Sequence, residues 1–192
     1  VTHPANRPLI NVSQAAPVES PPLGLRQAIA DAALNDPNAH LYGPVLGLPA
    51  LREEIAKQWS RAYGGAIAPS QVAITQGCNQ AFTAIMATLA GPGDDVILPT
   101  PWYFNHKMWL DMSGVTAIAL DTGDSLIPSA DAASALVTPR TRAIMPVSLY
   151  GQVPDMALIN TLAARHGLAV IEDAAQSFGA VYQGGRSCAL ST

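Results

Sequence analysis

Lysine is scarce in this 192-residue sequence, with only Lys57 and Lys107. Cysteine is equally rare, and Cys78 and Cys188 stand too far apart for a disulfide framework or a zinc site of their own. That pattern fits a reducing compartment, so a cytoplasmic location is expected. Charged residues make up 12% and the net charge is −4, which gives no electrostatic case for nucleic acid or anionic membranes. No apolar run reaches the ~18 residues needed to span a bilayer. The opening Val1-Thr2-His3-Pro4 lacks a basic-then-apolar leader pattern, so a secretory signal is not expected. Walker and GxGxxG loops are missing, which disfavours a nucleotide. No pair of the four histidines has metal spacing, and Ser177 and Ser191 sit in no nucleophile elbow, which disfavours a hydrolase. What the chain does have is apolar content of 49%, enough for a packed interior.

The order of elements is legible. Residues 1–21, rich in Pro, Asn and Ser, read as an extended arm. LGLRQAIADAAL, from Leu23 to Leu34, has helical spacing, with Leu25 and Ile29 on one face. Pro49 opens a second helix that Gly64-Gly65 ends. Strands and helices then alternate. Strands are predicted at Val72–Thr75, Asp95–Leu98, Val115–Leu120, Ala143–Val147 and Leu168–Glu172. Helices are predicted at Asn79–Leu89, Phe104–Met112, Ala130–Leu136 and Pro154–His166. Such alternation predicts an α/β fold with a mainly parallel sheet covered on both faces.

Ligands of open α/β sheets collect at the carboxyl ends of the strands, and three strand ends here are unusual. Thr75-Gln76-Gly77-Cys78-Asn79-Gln80 joins a strand to a helix. Gly77 permits close backbone approach, and a helix start offers free N–H groups to a phosphate; a plain Asn cap is the alternative. Pro99-Thr100-Pro101-Trp102-Tyr103-Phe104-Asn105-His106 places three aromatics in a row after a strand. They serve either as core packing or as a stacking face for a flat heterocycle. Ile171-Glu172-Asp173 ends an apolar strand on acids that need a partner. A cationic ring nitrogen is one such partner, and a helix cap or salt bridge is another.

Together these stations resemble the fold type I pyridoxal-phosphate enzymes. LYGPVLGLPALREEIA, APSQVAITQGCNQAF and GPGDDVILPTPWYFNH, within about 9–145, resemble the class I/II aminotransferases. AIMPVSLYGQVPDMALINTLAARHGLAVIEDAAQSFGAVYQGGRSCALST, within about 142–192, resembles the DegT/DnrJ/EryC1 sugar aminotransferases. The change falls near Thr138–Val147 and suggests a chimeric chain, with a natural family blending both motifs as the alternative.

The resemblance implies a three-layer α/β/α large domain binding pyridoxal phosphate. It assigns the phosphate to Gly77, Cys78 and Asn79, ring stacking to Tyr103, the pyridine nitrogen to Asp173 and the ring hydroxyl to Gln176. Tyr42 would reach the phosphate of the other subunit, which implies a homodimer with shared sites. It places His106 near the site in a supporting role. Class I enzymes carry an NPTG-like asparagine where this chain reads Ser148-Leu149-Tyr150-Gly151-Gln152.

The implied activity is amino-group transfer between an amino acid and a keto acid or keto-sugar. It requires a lysine amine that holds the cofactor and moves a proton. Both families place that lysine beyond the strand ending at Asp173, whereas Lys57 and Lys107 read as surface residues. No catalytic residue is therefore assigned. The expected organisation is an arm and helix over 1–40 and a partial large domain over 41–192, incomplete at its C-terminus and without the small domain. The alternative is a non-catalytic remnant that binds the cofactor weakly or serves as a dimerisation module.

Overall fold

The structure, a computed structural model, describes residues 19–191. Most of the expected N-terminal arm lies outside the described residues. The chain divides into two compact units, the first ending at Gly43 and the second beginning at Pro44.

In the first unit, α1 spans Leu23–Asn35. Its Leu25 and Ile29 are exposed. A short 3-10 turn, Pro37–His40, follows it, capped by Asp36, which accepts a bond from the Asn38 N–H. His40 Nε2 lies 2.9 Å from the Ala33 carbonyl oxygen.

The second unit starts with α2, Pro49–Tyr63. Proline suits its first turn because that N–H has no helical partner, and Gly64 closes it in the left-handed conformation. Arg52 fastens α2 to the chain ahead, donating to the carbonyls of Val72 at 2.7 Å and Pro69 at 2.8 Å. The remaining elements are α3 (Cys78–Leu89), β1 (Asp95–Thr100), α4 (Phe104–Met112), β2 (Thr116–Asp121), α5 (Ala130–Leu136), β3 (Thr141–Ile144), α6 (Met156–His166) and β4 (Ala169–Val170). A hairpin of β5 (Val181–Tyr182) and β6 (Gly185–Arg186) ends the described chain.

The four main strands form one parallel sheet in the order β2-β1-β3-β4. Strand alternation sends β1 side chains to two different cores. Val96 and Leu98 join Phe82 and Met86 of α3 and Leu110 of α4. Ile97 joins Ala133 of α5 and Met156, Ile159 and Leu162 of α6. Two helical layers thus sandwich the sheet, and the middle of β1, Val96 to Pro99, is apolar because both of its faces are covered. Burying each large aliphatic side chain contributes about 1.5–3 kcal/mol. The expected α/β/α architecture with a parallel sheet is the one observed.

Two expected strands differ. Residues 72–75 form no ladder strand. Ile74 donates one bond to the Leu46 carbonyl, and among the described residues no strand is paired alongside. The loop below must come very close: a Cβ at Gly47 (φ +96°) would meet Ile74 Cγ1 at 2.5 Å. The apolar stretch expected to form a strand over 168–172 is only half buried, with ladder geometry confined to Ala169–Val170. Its inner side pairs with β3, but its outer side has no strand beside it among the described residues.

Candidate functional site

The carboxyl ends of β1, β3 and β4 carry the expected cluster. Beyond its assigned end, β4 continues as a backbone clamp. The Asp173 N–H donates to the Pro146 carbonyl and the Ser148 N–H donates to the Asp173 carbonyl, each at 3.0 Å. Val147 and Asp173 form a parallel bridge, so their side chains share a face. Ile171 packs in the core that contains Phe82, Met86 and Leu110. Asp173, two residues on, points to that same side of the strand.

There it meets His106. The Nε2 of His106 lies 3.7 Å from Asp173 Oδ2, with side-chain exposures of 3% and 14%. The imidazole stacks on Phe82, with centroids 4.2 Å apart, and Tyr103 stands edge-on to it at 5.2 Å. Burial holds the imidazole below its ordinary pKa, and the Asp173 carboxylate pulls the other way. Asp173 Oδ1 accepts the Ala175 N–H at 3.1 Å, fixing the carboxylate from behind. Tyr103 remains partly exposed, and its hydroxyl accepts from Asn105 Nδ2 at 2.7 Å.

Phe82 links this cluster to the start of α3. It lies four residues after Cys78, or about 6 Å of helical rise. Gly77 is the N-cap with φ +83°, and no side chain caps the helix. A Cβ built at Gly77 meets nothing within 4 Å, so the turn opens onto free space. Asn79 is the second residue of the helix and not its cap, which removes the plain capping explanation for it. Thr75 Oγ1 donates to the Gly77 carbonyl at 3.0 Å, and the Gln76 N–H donates to Gln80 Oε1 at 2.5 Å, which fixes the turn. Cys78 and Asn79 are exposed at this rim.

Gln176 has a second engagement. Its Oε1 accepts the Tyr150 N–H at 3.0 Å, steadying a turn in which Tyr150 (φ +55°) and Gly151 (φ +84°) are both left-handed. Its amide hydrogens are what it has left to offer a ligand. Tyr42 belongs to the first unit and is fully exposed there.

Phe82 had no place in the sequence reading and His106 only a supporting one. The signal was present in FNHKMWL: His106 stands four residues before the buried Leu110, on the helix face turned inward. Neither lysine joins the cluster. Lys57 pairs with Glu54 at 3.5 Å, and Lys107 pairs with Asp111. Among the described residues, no group of His, Cys, Asp and Glu could hold a metal, and no helix is long and apolar enough to cross a membrane.

Residues 51–192 match the sequence model of the DegT/DnrJ/EryC1/StrS aminotransferase family. The match crosses Thr138–Val147 and reaches well ahead of it, so one family description covers both sides of the apparent junction. UDP-2-acetamido-2-deoxy-3-oxo-D-glucuronate aminotransferase of Pseudomonas aeruginosa is 48% identical over 110 residues, covering 56% of this chain and 30% of that protein. GDP-perosamine synthase of Caulobacter vibrioides is 45% identical over 119 residues, covering 59% and 32%. L-glutamine:2-deoxy-scyllo-inosose aminotransferase of Streptomyces fradiae is 33% identical over 173 residues, covering 90% and 40%. Among solved structures, N-succinyldiaminopimelate aminotransferase from Mycobacterium tuberculosis superposes with a TM-score of 0.75 at 31% identity, covering 83% of this chain and 44% of that one. The chain thus spans between about a third and somewhat less than half of the length of these proteins. The family and these structural neighbours depend on pyridoxal phosphate. With its model matched over 51–192, the chain belongs to the DegT/DnrJ/EryC1/StrS aminotransferase family.

Proposed function

We propose that residues 44–192 are the cofactor-holding part of a pyridoxal-phosphate-dependent aminotransferase. Its reaction is amino-group transfer between an amino acid and the ketone of a hydroxylated ring. The named relatives act on sugars and an inosose, which favours a keto-sugar over a simple keto acid. The observation that carries the reading is the convergence of Asp173, His106 and Tyr103 beside Phe82, which lies about one helical turn into α3 from its uncapped start.

These residues fit the cofactor. The bare N-terminus of α3 at Gly77, Cys78 and Asn79 offers N–H groups and a positive dipole end to a phosphate. The partly exposed Tyr103 offers a ring face. Asp173, little exposed and held by backbone bonds, offers a fixed carboxylate to a ring N–H. When bound, pyridoxal phosphate supplies a protonated pyridine ring that draws electrons from the substrate carbon. Asp173 keeps the proton on that nitrogen. His106, wedged between Phe82 and Tyr103, fixes the rotamer of Asp173. The Gln176 oxygen holds the Tyr150 N–H, and its amide hydrogens would donate to the ring hydroxyl of a bound cofactor. Tyr42 is assigned to the phosphate of a second subunit, in a homodimer located in the cytoplasm.

A second reading, a cofactor-binding remnant without activity, is favoured by the pairing of both lysines on helix surfaces. One titration tests the cofactor site on which both readings rest. Pyridoxal phosphate is added while tryptophan fluorescence is followed, and then borohydride and mass spectrometry report covalent fixation. Saturable quenching that D173A weakens at least about tenfold, without fixation at Lys57 or Lys107, supports non-covalent cofactor binding at this site. Stoichiometric fixation at either lysine would overturn the assignment of both to the surface. Binding indifferent to both D173A and N79A would refute the site.

A further inference from the structure

The side chain of Tyr150 serves neither its own backbone nor the core. The residue sits in the loop after β3 at φ +55° and ψ 25°, a left-handed conformation that bulky residues rarely adopt. Glycine would suit that position with less strain. Burial does not offset the strain, because Tyr150 is 80% exposed.

The turn is nonetheless held firmly. The Tyr150 N–H donates to Gln176 Oε1 at 3.0 Å, and a Cβ built at Gly151 would lie 3.8 Å from the Gln176 carbonyl oxygen. Two residues before Tyr150, the Ser148 N–H is bound to the Asp173 carbonyl. The loop is thus tied at 173 and again at 176 to the segment that carries the candidate acid. Beside it, a crevice of about 60 Å³ separates this loop from the one after β2. Ser125, Leu126, Val147, Tyr150 and Gln152 are among its walls. Val147 also bridges to Asp173, so the crevice adjoins the candidate site. At roughly 30 Å³ for a water-sized group, it admits a ring substituent and not a whole ring.

We propose that Tyr150 is a specificity-determining residue that contacts the ring of the acceptor ketone. Its phenol lies against the C–H face of a hydroxylated six-membered ring, a surface that an aromatic with an apolar body and a polar tip matches. One hydroxyl or hydroxymethyl substituent of that ring enters the crevice. Gln176 fixes the turn and so sets where the phenol stands. The inference rests on the reading of an aminotransferase acting on a ring ketone, and it names the residue that reads the ring.

The test follows the tyrosine signals of the whole 192-residue chain by NMR with isotope-labelled tyrosine. The probe is 2-deoxy-scyllo-inosose, the ring ketone in the name of the Streptomyces fradiae relative, titrated with and without pyridoxal phosphate. The Tyr150 signal, assigned as the one missing from Y150G, is expected to shift saturably. Y150G is expected to weaken binding of the ketone, measured by calorimetry, at least about fivefold. Y150F keeps the ring face and should lose less. Because glycine relieves the left-handed strain, Y150G should unfold at the wild-type temperature or above it. A tyrosine kept only for structure would show the reverse, a lowered unfolding temperature with unchanged binding. Three results overturn the proposal: a Tyr150 signal indifferent to the ketone, unchanged affinity in Y150G, or a lowered unfolding temperature in Y150G. Tryptophan fluorescence of the same samples reports the cofactor separately. Absence of quenching by pyridoxal phosphate counts against the cofactor site, whereas absence of a Tyr150 shift counts against this inference whether or not the cofactor binds.

Discussion

Replacing Glu172 with alanine is expected to release the turn that ends the described chain. The carboxylate of Glu172 accepts the N–H of Cys188 at 2.8 Å and of Leu190 at 3.1 Å. Charge-assisted bonds of this kind contribute about 1.5–3 kcal/mol each when buried. Glu172 is only half buried, so solvent competes, and about 2 kcal/mol for the pair is the working figure. At about 1.4 kcal/mol per tenfold, local opening of 185–190 becomes about 30-fold more frequent. Other anchors remain: Ser187 Oγ donates to the Ser177 carbonyl, Asn160 Nδ2 to the Leu190 carbonyl, and the Tyr182 hydroxyl to Asp155. The hairpin therefore opens more often without being lost. Trypsin cleavage after the exposed Arg186 reports this population when opening is fast relative to cleavage. The initial rate should rise about 30-fold in E172A. E172Q, which keeps an acceptor oxygen but not the charge, should fall between. A change below about threefold in E172A would refute the claim that this carboxylate holds the turn.

Gly77→Ala places a side chain at φ +83° in open space, so the cost is backbone strain of about 1–2 kcal/mol, measurable by urea denaturation. Leu98→Ala empties a fully buried position under α3 and α4 and should cost about 2–5 kcal/mol in the same assay. His106 has a lowered pKa in the folded state because burial disfavours its charged form. The unfolded chain therefore takes up a proton first as pH falls. His106's contribution is present above about pH 6.5 and is lost progressively as pH falls from there through the folded-state pKa. H106F, similar in size and unable to titrate, should flatten this part of the stability profile; an unchanged profile would show that His106 is not its source.

The sequence made local structure, and the grouping of some candidate residues, readable where neighbours in the chain decide the outcome. Helix α2 runs from Pro49 to Tyr63, as its proline start and glycine stop dictate. Helix α5 occupies the span read from its pattern, 130–136, with Ser129 as its cap. Asp173 and Tyr103 both meet His106 because each follows a strand, and strand ends in a parallel sheet share one edge; the Gly77 turn is linked to them through Phe82 of the helix it starts. What was not readable depends on distant partners. Residues 72–75 have the composition of a strand, yet a ladder requires a neighbour that composition cannot supply. The stacking of His106 on Phe82 joins residues 24 positions apart in different helices, so no local pattern announces it. The second role of Gln176 was hidden for the same reason, since its oxygen answers a backbone N–H in the loop after β3. The hairpin at 181–186 gave only a Gly184-Gly185 turn signal, and its docking depends on Asp155, Asn160 and Glu172.

Asp173 is positioned by main-chain bonds to Pro146 and from Ser148. Neither bond uses a side chain of the loop that follows β3. Residues 149–154 can therefore be exchanged, within the limits of the Tyr150 and Gly151 turn, without displacing the acid. The architecture separates the part of the site that must stay constant from a neighbouring loop free to change its side chains. Substitutions in that loop would alter its surface while the backbone clamp on Asp173 stays in place.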